Sequence, residues 1–177
     1  MSCSDRRLFL LGALALGGSL GGTLGGCGFR PLYGGGSGSG PGRLFRSVRV
    51  ERESGELGFR LHESLVERLR PVAGAPAFAL TTRTELQRSG LAIEDDDQVT
   101  RYNIRLITTY TLRRVGAVPS AAPLATGKVR SIAAYNATPS QYATLVSERQ
   151  VLKRAATEVA DKIVQRLAVA YDPAWGA

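Results

Sequence analysis

The chain has 177 residues, 44% of them hydrophobic, and a formal net charge of +8. One histidine and two cysteines are too few to build a metal site from imidazole and thiolate, and they leave nucleophilic catalysis short of parts. The composition points away from an enzyme and toward a cationic binding or assembly domain of ordinary size.

Residues 1–26 read as a signal peptide. Arg6 and Arg7 form a positive head, and residues 8–20 are an uncharged run of thirteen, short of the about 20 that a membrane-spanning helix needs. Glycines at 12, 17 and 18 make a buried helix a poor alternative. The run from Asp5 to Leu10 also resembles a twin-arginine signal, so two export routes stay open. Leu24, Gly25, Gly26 and Cys27 resemble the lipobox of bacterial lipoproteins. That resemblance implies cleavage before Cys27 and acyl chains on its thiol, at about 0.8 kcal/mol per buried CH₂ an effectively permanent anchor. Gly28, in place of an aspartate, implies sorting to the outer membrane of a Gram-negative cell, on its periplasmic side.

Removing 26 of the 177 residues leaves 151 and takes away two arginines and one aspartate, so the charge becomes +7. Cys3 leaves with the signal and Cys27 is consumed by lipid, so an apolar core must hold the mature domain together without a disulfide. The chain then divides into a lipidated anchor and glycine–serine tether at 27–42, a folded domain at 43–172 and a flexible tail at 173–177. The tether is "GGGSGSGPG", residues 34–42.

Within the domain, "LFRSVRVER" at 44–52 alternates as a strand, with Val48 and Val50 on one face. Residues 55–70 carry Leu57, Leu61, Leu65 and Leu69 at spacing four, an apolar helical stripe that Ser54 caps and Pro71 stops. Residues 77–89 place Phe78, Leu80, Thr82, Thr84 and Leu86 on one strand face and Arg83, Glu85 and Gln87 on the other. Residues 99–114 alternate most cleanly: Tyr102, Ile104, Leu106, Tyr110 and Leu112 against Arg101, Asn103, Arg105 and Arg113. Sixteen residues exceed the usual strand, so a bulge or projecting hairpin end is expected. Residues 124–137 form a fourth strand. Thr138, Pro139, Ser140 and Gln141 then offer a capping box with proline at the first helical position. The following helix runs to Asp172 along a seam of Leu145, Leu152, Ala156, Val159, Ile163, Leu167 and Ala170, about 48 Å long, with a break near Ser147 left open.

The order β-α-β-β-β-α calls for an α/β (α+β) two-layer sandwich. Its four-stranded, mostly antiparallel sheet is covered on one face by two helices, and the other face stays wet. On that wet face Arg83, Arg101, Arg105, Lys128 and Arg130 could gather into one phosphate-binding patch; the plain alternative is a solvated polar face. Nucleic acid would suit such a patch in the cytoplasm, but export leaves anionic lipid as the polyanion. His62 reads as a structural helix residue. Glu94, Asp95, Asp96 and Asp97 read as a solvated turn, because they lack the spacing of a calcium loop. No catalytic residue, metal or cofactor is expected beyond the lipid on Cys27.

Cys27, Gly28, Phe29, Arg30, Pro31, Leu32 and Tyr33 together resemble the mature N-terminus of the LPS-assembly lipoprotein family LptE, whose strand and helix order also agrees. That resemblance implies a non-enzymatic lipoprotein that plugs and helps assemble the β-barrel LptD and contacts lipopolysaccharide in transit. Residues 28–33 would serve anchoring and docking. A structural assembly or pilot factor for another export machine, which never binds lipid, is the alternative.

Overall fold

The computed structural model describes residues 40–93, 99–118 and 120–176. Gly35–Ala177 is a compact unit in its own right. Cys27, the motif at 28–33 and the acidic run at 94–97 lie outside the described residues.

The elements follow as α1 (Pro41–Arg46), β1 (Val48–Val50), α2 (Glu56–Leu69), β2 (Phe78–Ile93), β3 (Val99–Arg114), β4 (Ala125–Asn136) and α3 (Gln141–Ala170), closed by a 3₁₀ turn at Pro173–Gly176. The sheet order is β1-β2-β3-β4. β1 runs parallel to β2, with Val48 opposite Phe78, because α2 carries the chain back between them. β2–β3 and β3–β4 are antiparallel. This is the α+β architecture that the element order called for, with the helices on one side.

The first expected strand, 44–52, opens on a helix instead: Leu44–Arg46 belong to α1, and only Val48–Val50 pair in the sheet. Leu44 and Phe45 are adjacent and both buried, which a strand's two-faced alternation forbids and one helical turn permits. Pro41 opens that turn. Ser47 closes it, its hydroxyl donating to the carbonyls of Arg43 (3.2 Å) and Leu44 (3.0 Å). Three residues of β1 remain.

Two helix starts differ from the sequence reading. The N-cap of α2 is Gly55, with no side-chain bond, rather than Ser54. The N-cap of α3 is Ser140, whose hydroxyl accepts from the Ala143 amide at 3.3 Å, so Pro139 stands before the helix instead of inside it. α3 is unbroken through Ser147. Its seam buries Ala156, Val159, Ile163 and Leu167, whereas Leu145 is 43% exposed. The register of β2 against β3 slips near Ala92, a bulge close to the far end of the hairpin.

The core lies between the helices and the even-numbered residues of β2 and β3. Leu61, Leu65, Leu80, Leu106, Leu112, Ile163 and Leu167 are fully buried there, each leucine contributing about 2 kcal/mol. Arg68 pairs with Asp161 near the end of α2, and Arg149 lies close enough to Glu56 at its start to act on that carboxylate, so α2 and α3 run in the same direction. Arg68 grips both carboxylate oxygens of Asp161, and this hydrogen-bonded pairing raises the guanidinium pKa further, against the opposing pull of partial burial.

One polar group sits on this packed face. The Glu53 carboxylate accepts from the Thr84 amide, the Thr84 hydroxyl (3.0 Å) and the Thr82 hydroxyl (3.3 Å), and Thr84 in turn meets Thr108 at 3.1 Å. Four groups thus satisfy one another instead of facing an apolar core alone.

Candidate anionic-lipid site

The sheet face turned away from the helices is built in cross-strand rows. Arg83 lies opposite Thr109, which lies opposite Lys128; Glu85, Ile107 and Arg130 form the next row; Gln87, Arg105 and Ile132 the next. Neighbouring strands stand about 4.8 Å apart, so Arg105, Lys128 and Arg130 cluster toward β4. Arg83 is two strands from Lys128, about 10 Å. Arg101 pairs with Asn136, four residues beyond Arg105 and about 13 Å farther along the strand. All five side chains are exposed on the expected face, but three of them share one site while Arg83 and Arg101 flank it.

That site is a cleft of about 680 Å³ lined by Arg105, Ile107, Lys128, Arg130, Lys162 and Arg166. The last two belong to α3 and were not among the expected site residues. β4 is an edge strand, and α3 runs antiparallel beside it. Lys162 donates to the Arg130 carbonyl at 2.8 Å, and Arg166 to the Lys128 carbonyl at 3.0 Å. Four helical residues advance about 6.0 Å and two strand residues about 6.6 Å, so the cations at i, i+4 on α3 stay in step with those at i, i+2 on β4. The matched spacings were in the sequence; their meaning required knowing that these two elements are neighbours.

Lys162 also pairs with Glu158. The Lys162 ammonium, and then the Ser131 hydroxyl at 2.7 Å, hold the Glu158 carboxyl below its ordinary range. Lys162 is thus balanced locally. Among the described residues no ion pair engages Arg105, Lys128, Arg130 or Arg166. Ile132 is 54% exposed beside Arg105, and Ile107 lines the same cleft. Guanidinium and ammonium groups next to exposed aliphatic surface suit a ligand that is both phosphorylated and greasy.

Elsewhere, His62 is half-buried in α2 with its Nδ1 buried and unpartnered. Among the described residues no cluster of His, Cys, Asp or Glu could hold a metal ion, and no helix is long and apolar enough to cross a membrane.

A family model described as LptE, lipopolysaccharide-assembly, matches residues 45–167. Among solved structures, a protein of Caulobacter crescentus described as a lipoprotein is similar at 20% identity. It covers 73% of this chain and 93% of its own, with a TM-score of 0.58. The rare lipoprotein B of Shewanella oneidensis is similar at 22% identity, covering 70% and 92%, with a TM-score of 0.51. Lipoprotein B of Nitrosomonas europaea matches at 14% identity over 69% and 81%, also with a TM-score of 0.51. At these identities the likeness is one of fold. No curated protein sequence matches.

Proposed function

This chain belongs to the LptE lipopolysaccharide-assembly family, and from that premise we propose that it is an outer-membrane lipoprotein, anchored through Cys27 on the periplasmic side. It docks in an LptD-like β-barrel as a plug and assembly aid, and it offers lipopolysaccharide phosphates the cleft along β4. Arg105, Lys128, Arg130 and Arg166 bind phosphate there; Arg83 and Arg101 extend the attraction along the face. The lipoprotein descriptions of the structural relatives support the anchor, as does the lipobox. The observation that carries the lipid contact is the cleft itself, whose cations stand beside Ile107 and Ile132. No step of bond-making is involved: the protein positions a polyanionic lipid.

The test is binding of labelled lipopolysaccharide to the mature protein. Lys128→Glu with Arg130→Glu lowers affinity at least about tenfold, and the wild-type affinity falls steeply with salt. Unchanged binding in the double variant retires the cleft. A protein that co-purifies with its barrel yet ignores lipopolysaccharide is instead a structural assembly factor.

A further inference from the structure

The open sheet face carries a second hollow, next to the cationic cleft and nearer the far end of the hairpin. Gln87, Ser89, Asn103, Arg105 and Ile132 line it, and it measures about 170 Å³. The register explains why it exists. Gln87, Arg105 and Ile132 make one cross-strand row, and Ser89, Asn103 and Ala134 make the next. Long side chains fill the first row. In the second, two small side chains flank one amide, so the surface dips there. Arg101 stands in the row after that, between Ala92 and Asn136. Arg88 falls between Gln87 and Ser89 in sequence but on the helix side by parity, where Glu148 holds its guanidinium at 2.6 Å.

The chemistry of this hollow differs from that of its neighbour. The cleft is lined with lysine and arginine; the hollow offers two side-chain amides and a hydroxyl, each able to donate and to accept. Among the described residues no hydrogen bond occupies the side chains of Gln87, Ser89 or Asn103. Strand residues i and i+2 stand about 6.6 Å apart, so Asn103 sits midway between Arg105 and Arg101, with a cation one row away on either side. The exposed Ile132 adds an aliphatic wall. A lone amide on a wet strand is simply solvated. Amides grouped in a concave spot, with an apolar wall and a cation at each end, match a different object. They match a ring with hydroxyl groups on its rim, C–H groups on its faces and phosphate at its ends.

We propose that this hollow is a saccharide subsite, which holds one sugar ring of a phosphorylated glycolipid. Gln87, Ser89 and Asn103 hydrogen-bond to groups on the ring, and Arg105 and Arg101 take phosphates to either side. The subsite presupposes that this face meets lipopolysaccharide, and it supplies what the cleft alone lacks. Arginine and lysine attract the phosphate of any anionic lipid, glycerophospholipids included. Preference for a glycolipid comes from groups that pair with the sugar and lose their partners when a lipid without one is bound. With about 170 Å³, against about 300–1,000 Å³ for sites that enclose a drug-sized ligand, the hollow takes a single ring. The rest of the lipid is left to the cleft and its isoleucines. Arg101, too far along the strand to share the cleft, gains a role as the cation on the far side of the sugar.

The test compares two lipids, each titrated into the mature lipoprotein in the same detergent. One is the bisphosphorylated, acylated glucosamine disaccharide; the other is cardiolipin, which also carries two phosphates and several acyl chains but no sugar. The wild-type protein should bind the disaccharide lipid about tenfold more tightly. Gln87→Met/Asn103→Leu keeps the shape of both side chains and removes the amides. It should lose about fivefold affinity for the disaccharide lipid per amide, with cardiolipin affinity held within about twofold. Ser89→Phe, which fills the hollow, should act the same way without altering a cation. Thermal melts check that the variants are folded. The side-chain amide resonances of Gln87 and Asn103 should shift with the disaccharide lipid and stay in place with cardiolipin. Equal wild-type affinity for the two lipids, or variants that lose both in proportion, overturns the saccharide subsite. If that binding still falls with salt and in Lys128→Glu/Arg130→Glu, the phosphate cleft stands without it. Binding of neither lipid overturns the cleft, and the subsite with it.

Discussion

Gly58→Ala sets two physical effects against each other. Gly58 is buried in the first turn of α2, where alanine is the better helix former by up to about 1 kcal/mol. A Cβ at this position would stand 2.6 Å from the Glu53 carbonyl oxygen and 2.9 Å from its carbonyl carbon, whereas ordinary contact begins near 3.4 Å. The obstacle is backbone, and that backbone is pinned: the Glu53 carboxylate is tied to the Thr84 amide and to the hydroxyls of Thr82 and Thr84. Either α2 lifts from the core or the Glu53 clamp lets go. Overpacking costs about 1–3 kcal/mol, and loosening hydrogen bonds to a charged group adds about as much again. Sterics win, for a net loss of about 2 kcal/mol, or a fall of roughly 7 °C in the melting temperature of a domain this size. Urea and thermal melts of Gly58→Ala measure it. Repeating the substitution in a Glu53→Ala background should recover part of the cost, because the released backbone can move. A neutral or stabilising Gly58→Ala would refute the packing of α2 against residue 53.

The Glu158 carboxyl is held below its ordinary range by Lys162 and Ser131, so its contribution is complete above the unfolded carboxylate pKa and disappears as pH falls through the lowered folded value. Glu158→Gln should flatten the acid side of a plot of melting temperature against pH, by no more than about 1 kcal/mol for so exposed a pair; an unaltered acid limb would exclude the network. Leu106→Ala removes a fully buried side chain and should cost about 2–5 kcal/mol. Ile132→Thr, on the open face, should stay within about 0.5 kcal/mol while weakening lipid binding, and the reverse pattern in denaturation and binding assays would invert the two faces. A double-mutant cycle of Arg68→Met and Asp161→Ala should give a coupling of about 1 kcal/mol that shrinks with added salt. Zero coupling at low salt would remove Arg68 as the tie between the helices.

Legibility in the sequence followed how many constraints each stretch carried. Residues 99–114 alternate most cleanly, and β3 occupies those bounds because its middle sends every second side chain, Ile104, Leu106, Thr108, Tyr110 and Leu112, into the core. Residues 44–52 alternate only from Val48 to Val50, and the adjacent apolar pair Leu44–Phe45 was the signal for α1. The helix caps depended on which neighbouring backbone turned: Gly55 rather than Ser54, Ser140 rather than Thr138. The cationic face could be read from strand alternation, since Arg105, Lys128 and Arg130 fall on one side by parity. Lys162 and Arg166 could not, because on α3 alone they are a solvated flank. The tail at 173–177, expected to be a flexible end, contains a 3₁₀ turn, and Trp175 packs against the core; nothing local in that short stretch specifies the contact with Tyr171.

The same pair of side chains on α3 bears on a problem any open sheet has. β4 is a twelve-residue edge strand, and an unpaired edge of that length invites another strand to add to it. Lys162 and Arg166 occupy the carbonyls of Arg130 and Lys128, and the exposed Lys128 and Arg130 side chains discourage close approach by a second basic chain of this kind. The arrangement that blocks strand addition also leaves a row of cations along the rim, with Glu158 neutralising only Lys162. An anionic ligand is attracted to the charges that would deter a copy of this protein, and it need not displace the carbonyl bonds to reach Arg105, Lys128 and Arg130 on the open face. Protection of the edge and the proposed recognition of a polyanion thus rest on one placement of α3 against β4, which is why the register between those two elements, more than any one arginine, matters to both.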